Sequence, residues 1–352
     1  MKVGIVGFPQ AGKTTVFNAL TGLHAAVGAY GDSGKPNLGT IKVPDERIDR
    51  LSGIFSPRKT TYAEVVFVDF PGGSERSAGV LDQATLVQMR DADALVQVVR
   101  GFPDPVTQDA ADPARDIETF KNELVLADLA IVEKRLERLR KEKGKEQEAD
   151  LLQRCQSALE AEKPLRRVEF AAADERALSG FGLLSRLPLL VVVNVPEAAV
   201  AEPLPDALRG RLDADAVPGL ALCAQIEMEI AALDDDDRKA FLADLGLRES
   251  ARARFVQAAY ALLDLISFLT TGEDEVRAWP IRRGTTAVRA AGKIHSDIER
   301  GFIRAEVVAY ADFVQLGSEA KCREAGKLRL EGKEYVVQDA DILNIRFSPP
   351  AK

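Results

Sequence analysis

Residues 7–14 of this 352-residue chain read Gly7-Phe8-Pro9-Gln10-Ala11-Gly12-Lys13-Thr14, which fits G-x-x-x-x-G-K-[ST]. Lys2-Val3-Gly4-Ile5-Val6 before it has the apolar, β-branched makeup of a buried strand. Thr14-Thr15-Val16-Phe17-Asn18-Ala19-Leu20 after it reads as a helix start. Strand, glycine loop and helix in that order confine the chain to an α/β sheet whose first turn wraps an anion. The two glycines let backbone N–H groups point inward, and the helix opening at Lys13 adds the positive end of its dipole. Lys13 is the candidate cation for the β and γ phosphates, and the Thr14 hydroxyl a candidate ligand of Mg²⁺. Phe8, Pro9, Gln10, Ala11 and Thr15 complete the candidate nucleotide-binding loop.

A phosphate loop leaves the class of nucleotide open, so the later strand ends matter. Ala63–Val68 is apolar and runs into Asp69-Phe70-Pro71-Gly72, a D-x-x-G pattern. Asp69 at a strand end can hold Mg²⁺ through water, and the Gly72 N–H can sense the γ-phosphate. Ala94–Val99 and Leu189–Val193 read as further strands, the second ending in Asn194-Val195-Pro196-Glu197. GTPases place N-K-x-D there: the Asn braces the phosphate loop, the Lys stem covers the base, and the Asp reads guanine. Here Val195 stands for the Lys and Glu197 for the Asp. Glu is one methylene longer, so bidentate guanine recognition should weaken and adenine becomes admissible. Leu220–Ala224 reads as the last strand, with the Cys223-Ala224-Gln225 loop packing on the base edge.

Two stretches fall outside this alternation. Ile117–Arg140 carries Leu124, Leu126, Leu129, Val132, Leu136 and Leu139 at helical spacing, and Leu151–Leu159 resumes the pattern after a Lys/Glu-rich segment. This predicts an inserted antiparallel helical hairpin, a partner-binding arm or merely a solvated one. From Ile266 on, short strand-like pieces follow: Ile303–Val308, Lys327–Leu330, Tyr335–Val337 and Ile342–Phe347. Residues 277–304 hold Arg277, Arg282, Arg283, Arg289, Lys293, Arg300 and Arg304 against Asp297 and Glu299, around the sole tryptophan, Trp279. A compact α+β module with one basic face is expected there, able to meet RNA backbone.

The net charge of −8 argues against general nucleic-acid binding, so DNA is not an expected partner. The longest apolar run, Leu187–Val195, is too short to span a bilayer, so no membrane partner is expected either. The first residues enter a strand pattern without leader anatomy, and Cys155, Cys223 and Cys322 are scattered and odd in number; both lead us to expect a cytoplasmic protein. With His24 and His295 the only histidines, a His-rich metal site or a Ser-His-Asp triad is not expected.

Several long runs resemble the YchF subfamily of Obg-like P-loop NTPases, of the translation-factor class. They include Gly272-Glu273-Asp274-Glu275-Val276-Arg277-Ala278-Trp279, Ile281-Arg282-Arg283-Gly284-Thr285, Ala291-Gly292-Lys293-Ile294-His295-Ser296-Asp297 and Glu299–Val307. Arg115-Asp116-Ile117-Glu118-Thr119 and Ala224-Gln225-Ile226-Glu227 are similar to the family's arm start and last nucleotide loop. The resemblance implies an α/β fold: a P-loop G-domain-like sheet (residues 1–112 and 187–265), a helical coiled-coil insertion (113–186) and a C-terminal β-grasp TGS domain (266–350). It also implies Mg²⁺, ATP hydrolysis in preference to or alongside GTP, association with the ribosome (large subunit or 70S), and a role in translation and stress responses.

The chain departs from the family in its switches. Only Ser33 offers a hydroxyl near Pro36-Asn37-Leu38-Gly39 for Mg²⁺, the Gly72–Val80 stretch is short, and Gln108 stands where a His is often found. Gly73 follows Gly72 where many GTPases carry a water-orienting Gln. Lys13 and Gly72 are thus the candidate catalytic groups of a slow hydrolase, with a partner or a potassium ion supplying the rest and Gln108 a candidate to position water. Two other readings are a GTP-selective GTPase and a nucleotide-gated binding module that does not hydrolyse.

Overall fold

The computed structural model describes residues 1–23, 36–70, 81–104 and 107–348. Among these, the strands are β1 Lys2–Val6, β2 Asn37–Lys42, β3 Lys59–Thr61, β4 Glu64–Asp69, β5 Ala94–Arg100, β6 Leu189–Asn194, β7 Gly219–Leu222, β8 Leu265–Thr270, β9 Glu275–Arg282, β10 Phe302–Ala309, β11 Arg329–Glu331 and β12 Asp341–Phe347. They form two six-stranded sheets, in the orders β2-β4-β1-β5-β6-β7 and β11-β10-β12-β8-β9-β3. The chain divides into two compact units, residues 1–41 with 66–262 and residues 42–65 with 263–352.

In the first sheet β1 pairs in parallel with β4 and β5, β5 with β6, and β6 with β7. All six residues of β6 and six of seven in β5 are buried, the continuous apolar run of a parallel sheet covered on both faces. The register sets Ile5 beside Asp69 and Asn194 beside both Arg100 and Leu222. The segments singled out in the sequence therefore leave the sheet at one edge, outside the carboxyl ends of the strands, where open α/β sheets bind ligands. The last strand stops at Leu222, and Ala224 already opens the helix Ala224–Ala232, which corrects the expected strand Leu220–Ala224.

The arm consists of helices Pro113–Leu139 and Glu146–Glu160. Asp112 starts the first by accepting the Arg115 N–H, and Pro113 fits its first turn. Val125, Val132 and Leu139 pack on Leu151, Leu152, Cys155 and Leu159, and Leu165, Leu178 and Leu183 from the return segment close this small core. At its base Asp128, fully buried, accepts the N–H groups of Leu184 and Ser185, one on each oxygen at 2.7 Å. Burial outweighs those bonds and pushes its carboxyl up to about 6.

In the second unit β8 and β9 form an antiparallel pair, β12 lies parallel to β8, and β10 runs antiparallel to β12. The small face of helix Ala287–Ile294 (Ala287, Ala290 and Ala291, all fully buried) lets it pack close to Phe268, Ile281, Val307 and Leu343. This is the β-grasp arrangement. Three features correct the sequence reading. Residues 42–65, assigned there to the nucleotide-binding part, belong to this unit because β3 pairs with β9 and Phe55 stacks on Phe313 at 5.5 Å. Tyr335–Val337 is not a strand; the segment keeps one bridge, Thr286 to Val336. The basic stretch is largely compensated: Arg277, Arg283, Arg289 and Arg300 pair with Glu275, Asp264, Glu299 and Asp297. Trp279 is half-buried rather than a free platform, with the Arg277 guanidinium 3.8 Å over its ring, Phe268 stacked at 6.2 Å, and its N–H donated to Thr270.

Candidate nucleotide-binding site

The loop between β1 and helix Lys13–Thr21 is shaped by two glycines at positions where any side chain would be strained. Gly7 has φ +143°, and a β-carbon there would lie 2.3 Å from the Val98 carbonyl oxygen. Gly12 has φ +83°, and its β-carbon would lie 2.4 Å from Asn194 Nδ2. Between them Gln10 takes φ +61°, a left-handed backbone that costs a non-glycine residue energy. Its amide, oriented to donate, meets the Asp104 carboxylate at 2.7 Å and so is held there. Phe8 packs edge-on to Phe120 of the arm, with ring centroids 6.4 Å apart, which anchors the loop from outside. Pro9 and Ala11 lie between these fixed points, and Thr15 continues the helix beside Thr14.

Lys13, only 8% exposed, donates from Nζ to the Phe8 carbonyl at 2.9 Å. Burial lowers its ammonium to about 8, and the Asp69 charge opposes that shift. Thr14 Oγ1 donates to Asp69 Oδ2 at 2.9 Å, and Asn37 Nδ2 donates to the same oxygen at 3.2 Å. Asp69 is 3% exposed, and its Oδ1 has no hydrogen-bond partner among the described residues. Burial raises its carboxyl above the usual range, against the pull of Asn37, Thr14 and Lys13. A buried cation beside a carboxylate with one idle oxygen is an arrangement that waits for a polyanion and a hard cation together.

The far wall is built around Asn194. Its Nδ2 donates to the Ala11 carbonyl at 3.2 Å, and its Oδ1 accepts the Ala224 N–H at 3.1 Å. One side chain thereby joins the phosphate loop to the Cys223-Ala224-Gln225 loop. Cys223 is buried, Ala224 begins the helix, and the Gln225 side chain is exposed. Val195 is half-buried against the core, while Glu197 is exposed and opens a short 3₁₀ turn, Glu197–Ala199. Gln108 is exposed with φ +61° on the loop after β5, its N–H bonded to the Asp104 carbonyl. Ser33 and Gly72, candidates for Mg²⁺ and for sensing the γ-phosphate, lie outside the described residues.

The fold thus gathers Gly7–Thr15, Asp69, Asn194, Val195, Glu197 and Cys223–Gln225 from four separated stretches at one sheet edge. The sequence reading gives no role to Asn37 or Asp104. Asn37 sits inside the quoted Pro36-Asn37-Leu38-Gly39 run, at the start of β2, so a signal was present; nothing in the linear chain ties Asp104 to Gln10.

Comparison with known proteins gives the family. A family model described as a 50S ribosome-binding GTPase matches residues 2–135, and the YchF GTPase C-terminal model, described as a protein of unknown function, matches residues 265–348. The chain is 42% identical to a protein of Bacillus subtilis named ribosome-binding ATPase YchF, covering 99% of both chains. It is 40% identical to the protein of the same name from Pasteurella multocida, again over 99% of both. Among solved structures it is similar to the Schizosaccharomyces pombe YchF GTPase, with a TM-score of 0.87, 29% identity, and coverage of 98% of this chain and 97% of that one.

Proposed function

This chain belongs to the YchF family, and we propose that it is a Mg²⁺-dependent nucleoside triphosphatase of the cytoplasm that takes ATP more readily than GTP and acts on the ribosome. The observation that carries the reading is Lys13, a buried ammonium donating to the Phe8 carbonyl inside the glycine loop, next to the Thr14–Asp69 pair.

In this reading the triphosphate lies along Gly7–Thr14. Lys13 and the loop N–H groups stabilise the charge that grows on the phosphate oxygens as water attacks in line. The oxygen donors suit a hard divalent cation: Asp69 Oδ1 is buried and unpartnered among the described residues, and the Thr14 hydroxyl faces the other carboxylate oxygen. Thr14 and Asp69 are the residues that would hold Mg²⁺, which when bound neutralises phosphate charge. Asn194 keeps the phosphate loop and the base loop in fixed relation. Val195 supplies an apolar wall for the base, and the exposed Glu197 leaves guanine without its bidentate acceptor. Intrinsic turnover is slow, and a partner or a potassium ion raises it.

Ribosome association is supported by the names of the relatives, and exposed Lys293 and Arg304 are the groups that would meet RNA phosphates. Two experiments test the whole. Single-turnover assays with and without ribosomes should release phosphate from ATP; release in neither sample would leave a binding module only. Cosedimentation with ribosomes at two salt concentrations, with and without a non-hydrolysable ATP analogue, should give nucleotide-dependent binding that weakens with salt.

A further inference from the structure

Glu227 is a charged residue in the interior, 2% exposed, one turn into helix Ala224–Ala232. Its Oε1 accepts the Ala251 N–H at 2.7 Å and its Oε2 the Arg252 N–H at 3.0 Å. These are the first amides of helix Ala251–Leu262, donors that no residue within that helix can satisfy. The carboxylate also sits at the positive end of that helix. Its own N–H makes the ordinary helical bond to the Cys223 carbonyl at 3.0 Å, which places the residue one turn from the loop that precedes its helix.

At its start that loop is fastened by the Asn194 side chain. Cys223 occupies the cap position without a capping hydrogen bond, and the Ala224 N–H is already committed to Asn194. Cys223 and Ile226 pack with Val200 and Ile230. Helix Ala251–Leu262 is itself well anchored, since Phe255 is fully buried and packs on Phe67 of β4, the rings tilted by 42° with centroids 5.2 Å apart. Force on the base loop therefore passes through Glu227 into a fixed helix.

We propose that Glu227 is a positioning residue for nucleotide-base recognition: it locks Cys223–Gln225, through helix Ala224–Ala232, to the amino end of helix Ala251–Leu262. The inference rests on the reading of this site as a nucleotide site. It predicts that Glu227 governs the part of affinity that comes from the base and not the part that comes from the phosphates, because Gly7–Thr14 is shaped by Gly7 and Gly12 and held at Gln10 by Asp104 and at Ala11 by Asn194, contacts in which the Glu227 carboxylate takes no part.

The test is calorimetric titration of the full chain with Mg²⁺-ATP and with Mg²⁺-ribose 5′-triphosphate, which lacks a base. Glu227→Gln presents an amide to one of two backbone donors and should weaken ATP about tenfold, the size of one charge-assisted hydrogen bond. Ribose triphosphate should change less than twofold. Ala251→Pro removes one donor from the other side of the contact, at a helix position where proline is tolerated, and should give the same pattern if Glu227→Gln does not fold. Equal losses for both ligands, or unchanged ATP affinity in a folded variant, would overturn the proposal. Failure of the unsubstituted chain to bind either ligand would instead overturn the nucleotide reading beneath it.

Discussion

Gly12 and Asn194 approach so closely that a single methyl group on Gly12 would fall 2.4 Å from the Asn194 amide nitrogen. The contact makes the phosphate loop and the end of β6 one object, since the same amide holds the Ala11 carbonyl and the Ala224 N–H. Gly12→Ala meets both a left-handed backbone and this clash, and should cost about 1–3 kcal/mol of stability. It should also lower triphosphate affinity at least about tenfold, one lost charge-assisted contact. Adding Asn194→Ala removes the clash, so the double variant should be more stable than the sum of the single effects implies. Urea melts of the four proteins in the cycle measure that coupling.

Asp69 carries a carboxylate whose burial is only partly compensated. Asp69→Asn removes that charge and should leave the ligand-free protein as stable as before or slightly more so. The same change should remove most of the gain in nucleotide affinity that Mg²⁺ provides. Thermal melts without ligand, set beside titrations with and without Mg²⁺, separate the two effects. A large loss of stability in the ligand-free protein would contradict the reading of Asp69 as a held-ready ligand.

Base choice should follow Val195 and Glu197. Glu197→Asp together with Val195→Lys restores a short carboxylate and a stem over the base, and should move preference toward guanine. Competition of ATP and GTP for one fluorescent nucleotide reads the ratio, which should shift by about tenfold or more. Lys13→Ala, in contrast, should abolish tight binding of either triphosphate in the same assay.

Asp128 should leave a signature in the pH dependence of stability. Its folded value near 6 lies above the ordinary 3.8, so the folded protein holds this proton more tightly than the unfolded chain. The sign follows: its contribution is fully present below about 4 and is lost as pH rises through about 6. The loss amounts to about 3 kcal/mol at most. Asp128→Asn should erase that slope while costing about 1–3 kcal/mol near pH 4, because one of the Leu184 and Ser185 N–H groups loses its acceptor. Urea midpoints of both proteins from pH 4 to 7 give the difference.

What could be read in the chain, and what could not, divides by range. The phosphate loop and the Asn194-Val195-Pro196-Glu197 turn were legible because strand, loop and helix are contiguous and each residue type has a local reason. The arm was legible because leucines recur at helical spacing, although its third layer around Leu165, Leu178 and Leu183 carries no period of its own. The membership of residues 42–65 was not legible: β3 is three polar and charged residues with no apolar alternation, and its partner is remote. The basic stretch misled for the same reason. Arg283 finds Asp264, and Arg277 covers Trp279, only after β8 and β9 fold together. Glu227 is similar, for a buried carboxylate facing the amides of another helix looks in sequence like any solvated glutamate.

The pairing of β3 with β9 also bears on how the molecule is made. Thr61 donates to Glu275 at 2.6 Å across 214 residues of chain. During synthesis the early strand must stay unpaired until nearly the whole polypeptide has left the ribosome. Local elements such as the arm hairpin can close meanwhile, so the β-grasp sheet is the last part to be completed. A fragment beginning near Leu263 would leave the outer edge of β9 open, a ready template for pairing with another chain. The C-terminal unit is therefore not a module that can be cut out at one point; it is a late closure between the two halves of a translation product.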